Sequence, residues 1–377
     1  MDQTVPLVDF APIARLVLLA LMLALVPLAW VWLRRRSTPS ATRLAALTTL
    51  TLFLTFDLIV FGSFTRLTDS GLGCPDWPGC YGQASPVGAS AHIDQAQTAM
   101  PGGPVTFTKA WIEMIHRYAA MTVGMLILVM TVFAWRERLK VRGMLPFSPW
   151  WPTLTLVWVI VQGLFGKYTV TLKLYPAIVT LHLLGGLVLL VMLAFQHEAF
   201  LRRPLVLTAR LRRAALAVGA VLGLQIALGG WVSTNYAVLA CTGFPTCNGQ
   251  WWPQMEFAQA FVLLRHLGQT GGGALLSFES LVGIHMVHRI AAVVAAAALL
   301  WLAWRLRREG NPTLARFGLG LGLLTLMQVA SGLSNVVLDW PIVAALVHSA
   351  GAAALVLLLA LLLARTWGAG VEARQGT

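Results

Sequence analysis

Residues 176–196 read PAIVTLHLLGGLVLLVMLAFQ, a run with no formally charged side chain and a single histidine, His182. A run of this length and apolarity crosses the hydrocarbon core of a bilayer as one α-helix. Eight further runs of the same character lie at about 14–33, 44–64, 111–134, 151–171, 214–233, 281–304, 317–336 and 342–364. The composition agrees: 58% of the 377 residues are hydrophobic and only 11% are charged, against about 25% charged in a typical soluble domain. The sequence predicts an all-α polytopic membrane protein of about nine spans, with the lipid bilayer as its first partner.

The formal net charge is +13, which by itself would suit a nucleic-acid partner. Its distribution excludes one. Arg34, Arg35, Arg36 and Arg43 follow the first span, and Arg136, Arg138, Lys140 and Arg142 follow the third. Arg202, Arg203, Arg210, Arg212 and Arg213 follow the fifth, Arg305, Arg307, Arg308 and Arg316 the seventh, and Arg365 and Arg374 the last. If the spans alternate, all of these share one side, which is the positive-inside pattern. The expected location is the cell inner (plasma) membrane, with the C-terminus cytoplasmic and the N-terminus, carrying Asp2 and Asp9, periplasmic. The first apolar run has its basic residues after it and lacks a small-residue cleavage site, so it reads as a retained helix rather than a secretory signal.

The chain also repeats itself. Gly62, Cys74, Trp77-Pro78, Cys80 and Gly82-Gln83 recur 167 positions later as Gly229, Cys241, Phe244-Pro245, Cys247 and Gly249-Gln250. Gln162, Gly166 and His182 recur after 166 as Gln328, Gly332 and His348, and His116-Arg117 recurs after 172 as His288-Arg289. Each repeat holds four spans, an even number that returns the chain to its starting side, so the halves are parallel and related by a pseudo-twofold axis along the membrane normal. The organisation expected is an extra N-terminal helix and linker at 1–43, a four-helix bundle at 44–196, a linker at 197–213, a second bundle at 214–364 and a tail at 365–377.

Four histidines sit in apolar spans and obey the duplication: His116 and His182, then His288 and His348. Each half contributes one from its second helix and one from its fourth, at similar depths. Polar groups at such depth are costly and usually functional. Two facing imidazoles suit six-coordinate haem iron, and a helical bundle builds cofactor sites from facing side chains. Copper or zinc suits them less, for want of supporting ligands. Arg117 and Arg289 read either as partners of haem propionates or as snorkelling interfacial residues. His92 and His266 fall in loops and His197 at a boundary, while His285, one turn before His288, reads as shaping the second pocket or as a packing or hydrogen-bonding residue. Each of the pairs Cys74/Cys80 and Cys241/Cys247 reads as a disulfide or as two redox thiols, on the side that permits disulfides.

The halves differ at one telling position. Three residues before His116 stands Glu113; three before His288 stands His285. Positions i and i+3 share a helix face, so Glu113 is expected to project beside His116. It reads as a catalytic proton relay or charge stabiliser, or as a helix-start carboxylate favoured by the dipole. Asp57, Lys167 and Lys173 are further polar groups in or near spans, with no role assigned.

These residues together resemble the haem A synthase family. The resemblance rests on GSFTRLTDSGLGCPDWPGCYGQ at 62–83, EMIHR at 113–117, HMVHR at 285–289 and the two later histidines, and covers about 44–364. It implies an oxidoreductase that oxidises a methyl of haem O, through hydroxylated intermediates, to the formyl group of haem A for cytochrome oxidase assembly. It implies that His116 and His182 receive haem O, that His288 and His348 hold haem b as cofactor, that Glu113 is functional, and that the two cysteine pairs match the family's loop pairs. The partners implied are haem O synthase and an electron donor, with a homo-oligomer admitted. The N-terminal span departs from the family pattern. Two other readings compete: a di-haem b electron carrier, which would need haems at different depths, and a haem transporter or chaperone without chemistry.

Overall fold

A chain inside hydrocarbon must satisfy its own backbone polar groups, and a single apolar segment can do so only as a helix. The computed structural model describes residues 11–140, 145 and 148–375; Asp2, Asp9 and Arg142, which entered the charge reading above, lie outside the described residues. The helices are α1 (Ala11–Arg35), α2 (Ser40–Leu67), α3 (Ser90–Ala99), α4 (Phe107–Lys140), α5 (Trp150–Thr171), α6 (Pro176–Leu201), α7 (Ala209–Thr234), α8 (Phe278–Arg307), α9 (Pro312–Val337) and α10 (Ile342–Gln375). Among the described residues nine are long and apolar enough to cross a membrane, all but the short loop helix α3. They coincide with the nine apolar runs. Most extend beyond them by about a turn, because polar residues at a headgroup level still continue a helix. The chain is a multi-pass membrane protein.

Local chemistry fixes several of the helix starts. The Asn311 side chain accepts from the amides of Thr313 and Leu314, with Pro312 in the first turn of α9. The Thr208 hydroxyl accepts from Leu211 N at the head of α7, and the Ser277 hydroxyl from Ser280 N at the head of α8. These are the residues that satisfy orphan donors at an N-terminus.

α2, α4, α5 and α6 close into one four-helix ring, and α7, α8, α9 and α10 into a second. α1 stands outside the first ring, against α4 and α2. The rings meet where α6 packs on α10 and α7 and where α2 packs on α10. The core of both rings is one continuous apolar cluster that includes Leu126, Met130, Leu190, Leu193, Leu302 and Leu362.

Residues on a twofold axis touch their own equivalents, and this marks the pseudo-symmetry directly. The Tyr236 hydroxyl donates to Asp69 Oδ1 over 2.5 Å, across a separation of 167 residues. Arg66 Nη2 donates to the carbonyl of Ser233 over 2.6 Å, again 167 apart. At the opposite end of the molecule, where α6 and α10 repeat at an offset of 166, Arg365 forms a two-pronged pair with Glu198 at 2.9 and 3.1 Å, one position from Ala364, the repeat equivalent of Glu198. The axis therefore runs the length of the helices, from the end bearing the cysteine loops to the arginine-rich end, as parallel halves require. The loops repeat in backbone detail too: positive φ recurs at Asp69 and Tyr236, Tyr81 and Asn248, Lys173 and Asp339, and Leu174 and Trp340, and the peptides before Pro78 and Pro245 are both cis.

Candidate functional site

The four intramembrane histidines all lie toward the cysteine-loop end. His182 is the seventh residue of α6 and His348 the seventh of α10; His116 and His288 are the tenth of α4 and the eleventh of α8. At about 1.5 Å per residue, each lies roughly 9–15 Å into its helix. Within each ring the two imidazoles are close enough to interact electrostatically, His116 with His182 and His288 with His348. The structure thus brings together the pairs that the repeat predicts, at one level in both halves.

Each imidazole packs over a glycine of the preceding span. A Cβ at Gly62 would lie 2.9 Å from His116 Nε2, at Gly229 3.0 Å from His288 Cε1, at Gly332 3.1 Å from His348 Cε1 and at Gly166 3.5 Å from His182 Cε1. The glycines that mark the duplication in the sequence are therefore histidine seats. At three of them a side chain would displace the ring.

Around these seats the halves diverge. The Gln225 carboxamide lies 3.1 Å from His288 Nδ1, and the Ser331 hydroxyl 3.0 Å from His348 Nδ1. His182 Nδ1 is buried with no side-chain partner, and its ring faces the backbone of Gln162 as the His348 ring faces that of Gln328. His116 stacks on Phe61, with ring centroids 6.3 Å apart.

The cysteine loops roof both sites. Cys74 and Cys80 form one disulfide and Cys241 and Cys247 the other, with Cα separations of 4.9 and 4.8 Å. Among the described residues no cysteine is free. Each roof is held to the histidine helix by the arginine beside the histidine. Arg117 Nη1 donates to the carbonyls of Asp76, Pro78 and Gly79. Arg289 donates to the carbonyls of Cys241, Gly243 and Thr246. Gly243 and Thr246 are the repeat equivalents of Asp76 and Gly79. The sequence reading offered propionate contact or snorkelling for these two cations; in the structure Arg117 Nη1 and both terminal nitrogens of Arg289 also donate to loop carbonyls, while Arg289 Nε is buried without a partner, a loop contact that becomes visible only once the loop carbonyls have positions.

Glu113 is 4% exposed. Its Oε2 accepts from Cys74 N over 2.8 Å, and its Oε1 pairs with Arg117 Nη2. The carboxylate thus joins the disulfide loop, the arginine and the helix of His116 in one connected network. In the other half His285 takes its place, 5% exposed, with Nδ1 buried and unpartnered. In that half Arg265, further along the same loop, adds an anchor to the end of α7: its Nη2 donates to Asn235 Oδ1 over 2.6 Å and its guanidinium lies over the Trp231 ring. Burial lowers the Arg265 guanidinium from its ordinary value. Of the remaining polar groups, Asp57 is exposed on α2, Lys173 is exposed in the α5–α6 turn, His92 stacks on Tyr81, and His266 meets Tyr175 edge-on.

The class is now defined: a duplicated membrane protein of two four-helix bundles, each enclosing a histidine pair under a disulfide-closed loop. A family model described as cytochrome oxidase assembly protein (COX15-CtaA) matches residues 45–360, and the chain belongs to that family. It is 39% identical over 315 residues to the heme A synthase of Shewanella oneidensis, covering 82% of this chain and 92% of the relative. It is 29% identical over 305 residues to that of Shouchella clausii, covering 78% and 86%. With the heme A synthase of Halalkalibacterium halodurans it shares 26% identity over 301 residues, covering 78% and 86%. α1 precedes the matched region, so the extra helix is an addition to the family core.

Proposed function

We propose that this chain is a haem A synthase, an oxidoreductase that converts a methyl group of haem O to the formyl group of haem A through hydroxylated intermediates. The observation that carries this reading is the pairing of two histidine sites at equal depth with a buried acid, Glu113, in the network of only one of them. Equal depth disfavours a wire of haems across the membrane. A carboxylate on one side only disfavours a carrier with two equivalent sites.

In this reading haem O enters the N-terminal ring, between His116 and His182, and the C-terminal ring holds haem b between His288 and His348. The C-terminal residues fit that cofactor: the two imidazoles belong to facing helices of one ring, each has a polar side chain beside Nδ1, and both rings are seated on glycine. Haem b, when bound, supplies one-electron transfer. The chain itself orients the substrate ring and screens it from water. Glu113, held by Arg117 and Cys74 N, serves as proton relay or charge stabiliser on the substrate side. The cysteine loops and the N-terminus face the periplasm, and the arginine-rich end the cytoplasm. Haem O synthase supplies the substrate, and a separate donor supplies electrons.

The test is to express the full chain in cells that make haem O but lack haem A, and to extract the pigments. Haem A, or its hydroxymethyl precursor, is expected. Folded protein with bound haem b and neither product would overturn the reading.

A further inference from the structure

The two rings are closed differently on one side. In the C-terminal ring α8 and α9 are the most closely associated pair of neighbouring helices; in the N-terminal ring the equivalent pair, α4 and α5, is the least closely associated. The residues at the contact give the cause. On α9, Gly318 and Gly322 face Ala303 of α8: a Cβ at Gly318 would lie 2.5 Å from the Ala303 carbonyl oxygen, and one at Gly322 3.9 Å from the Ala303 Cβ. Small residues four apart let two helix backbones touch. Their repeat equivalents in the N-terminal ring are Pro152, Leu156 and Thr131. There the Thr131 hydroxyl reaches the Pro152 carbonyl over 3.0 Å, and Trp135 Nε1 donates to the Thr153 hydroxyl over 3.0 Å. Side chains, not backbones, join α4 to α5, and they do so at the cytoplasmic end.

Further out the two helices stand apart. Gly124 lies seven residues before Thr131 on α4, and Gly163 seven residues after Leu156 on α5. A spacing of seven keeps a residue on nearly the same helix line, so both glycines continue the lines that meet below. A Cβ at either would find nothing within 4 Å among the described residues. In the other ring these places hold Ala296 and Val329. The flanks of the gap, Leu128, Ile160 and Leu164, are apolar and exposed. Gly163 is three residues from Gly166, the seat of His182, so the gap reaches the level of the histidine pair to within about one turn.

We propose that the gap between α4 and α5 is a lateral opening through which the isoprenoid chain of the substrate haem passes from the N-terminal ring into the lipid. This rests on the assignment of haem O to that ring and deepens it. Haem O and haem A carry a long isoprenoid chain on the ring edge, whereas haem b carries none. The disulfide loop roofs the site on the outer side, and a hydrocarbon chain is stable only in apolar surroundings. A sideways exit at the depth of the histidines meets both conditions. The ring that holds a chainless cofactor is sealed at the same place.

The experiment uses the full-length protein purified with its resident haem b in lipid nanodiscs. It is titrated with haem O or, as the chainless probe, with further haem b, and binding is followed by the Soret difference spectrum. Gly124→Leu and Gly163→Leu each fill the gap. Each should weaken haem O binding roughly ten- to a hundredfold and leave added and resident haem b at the parent level. Parent-level haem O affinity in both would overturn the proposal. So would an equal loss of haem O and added haem b, which marks a disturbed ring rather than a blocked chain. Where neither leucine variant keeps its resident haem b, Gly163→Cys decides. All four native cysteines are in disulfides, so the introduced thiol is the single target of a lipid-soluble maleimide. Bound haem O should slow its alkylation several-fold and bound haem b should not; equal rates would overturn the proposal. His116→Ala separates it from the underlying assignment. If His116→Ala abolishes haem O binding while the leucine variants change nothing, only the opening fails. If His116→Ala leaves haem O binding unchanged, the assignment of the rings fails.

Discussion

The two rings share a scaffold to the level of individual loop carbonyls, yet they are finished with different chemistry. Both have a disulfide roof, an arginine clamp and two histidines seated on glycines. In the N-terminal ring a buried carboxylate, Glu113, ties roof to helix, and the imidazoles have no hydrogen-bonded partner at Nδ1 among the described side chains. In the C-terminal ring the carboxylate is replaced by His285, and the imidazoles gain Gln225 and Ser331. Duplication supplies two copies of a site, and divergence at a few side chains has made the two copies chemically different.

The division is broken most directly at the histidines. His288→Ala or His348→Ala should abolish haem b binding, read as loss of the pyridine haemochrome from purified protein; full retention would end the assignment of the rings. Next in size is Glu113→Ala, which should cut product formation by about 10²-fold or more while haem b stays bound. Parent-level activity in that variant would reduce Glu113 to an anchor of the loop. The disulfides test what the halves share. Removing Cys74–Cys80 or Cys241–Cys247 by double serine substitution should cost about 2–3 kcal/mol each, since both close loops with a sequence separation of 6. The thermal midpoints should fall by similar amounts, and a large inequality would show that the roofs are not equivalent supports. The smallest effects separate seat from scaffold. Gly229→Ala puts a Cβ 3.0 Å from the His288 ring and should loosen haem b, whereas Gly223→Ala, with open space around it, should leave binding intact and stabilise α7 by about 0.5–1 kcal/mol. Equal loss of haem b in both would remove the seat as an explanation.

Much of this could be read in advance. The apolar runs gave the spans because a helix is the only self-satisfied solution in lipid, and the offsets of 166 and 167 gave the parallel halves. The histidine pairs were legible because a polar residue in such a run is costly enough to be conspicuous. Gln225 and Ser331 were not, because a glutamine or serine in a long helix has many ordinary explanations. One signal could have found them: they break the repeat, opposite Leu58 and Phe165, while the glycines four and one residues away keep it. The arginine clamps were out of reach as well. Their acceptors are loop carbonyls some 40 residues distant, at separations such as 41 and 43, and backbone acceptors carry no residue-type signature.

The sequence alone determined that this is a helical membrane protein, duplicated, with two histidine pairs at one depth and an acid beside only one. Hydropathy and period are local properties, and they survive in a one-dimensional string. The tertiary structure decided which way each imidazole faces, what occupies its second nitrogen, and which cations are free and which are committed. Those depend on directional hydrogen bonds between neighbouring helices, whose partners are set by packing rather than by distance along the chain.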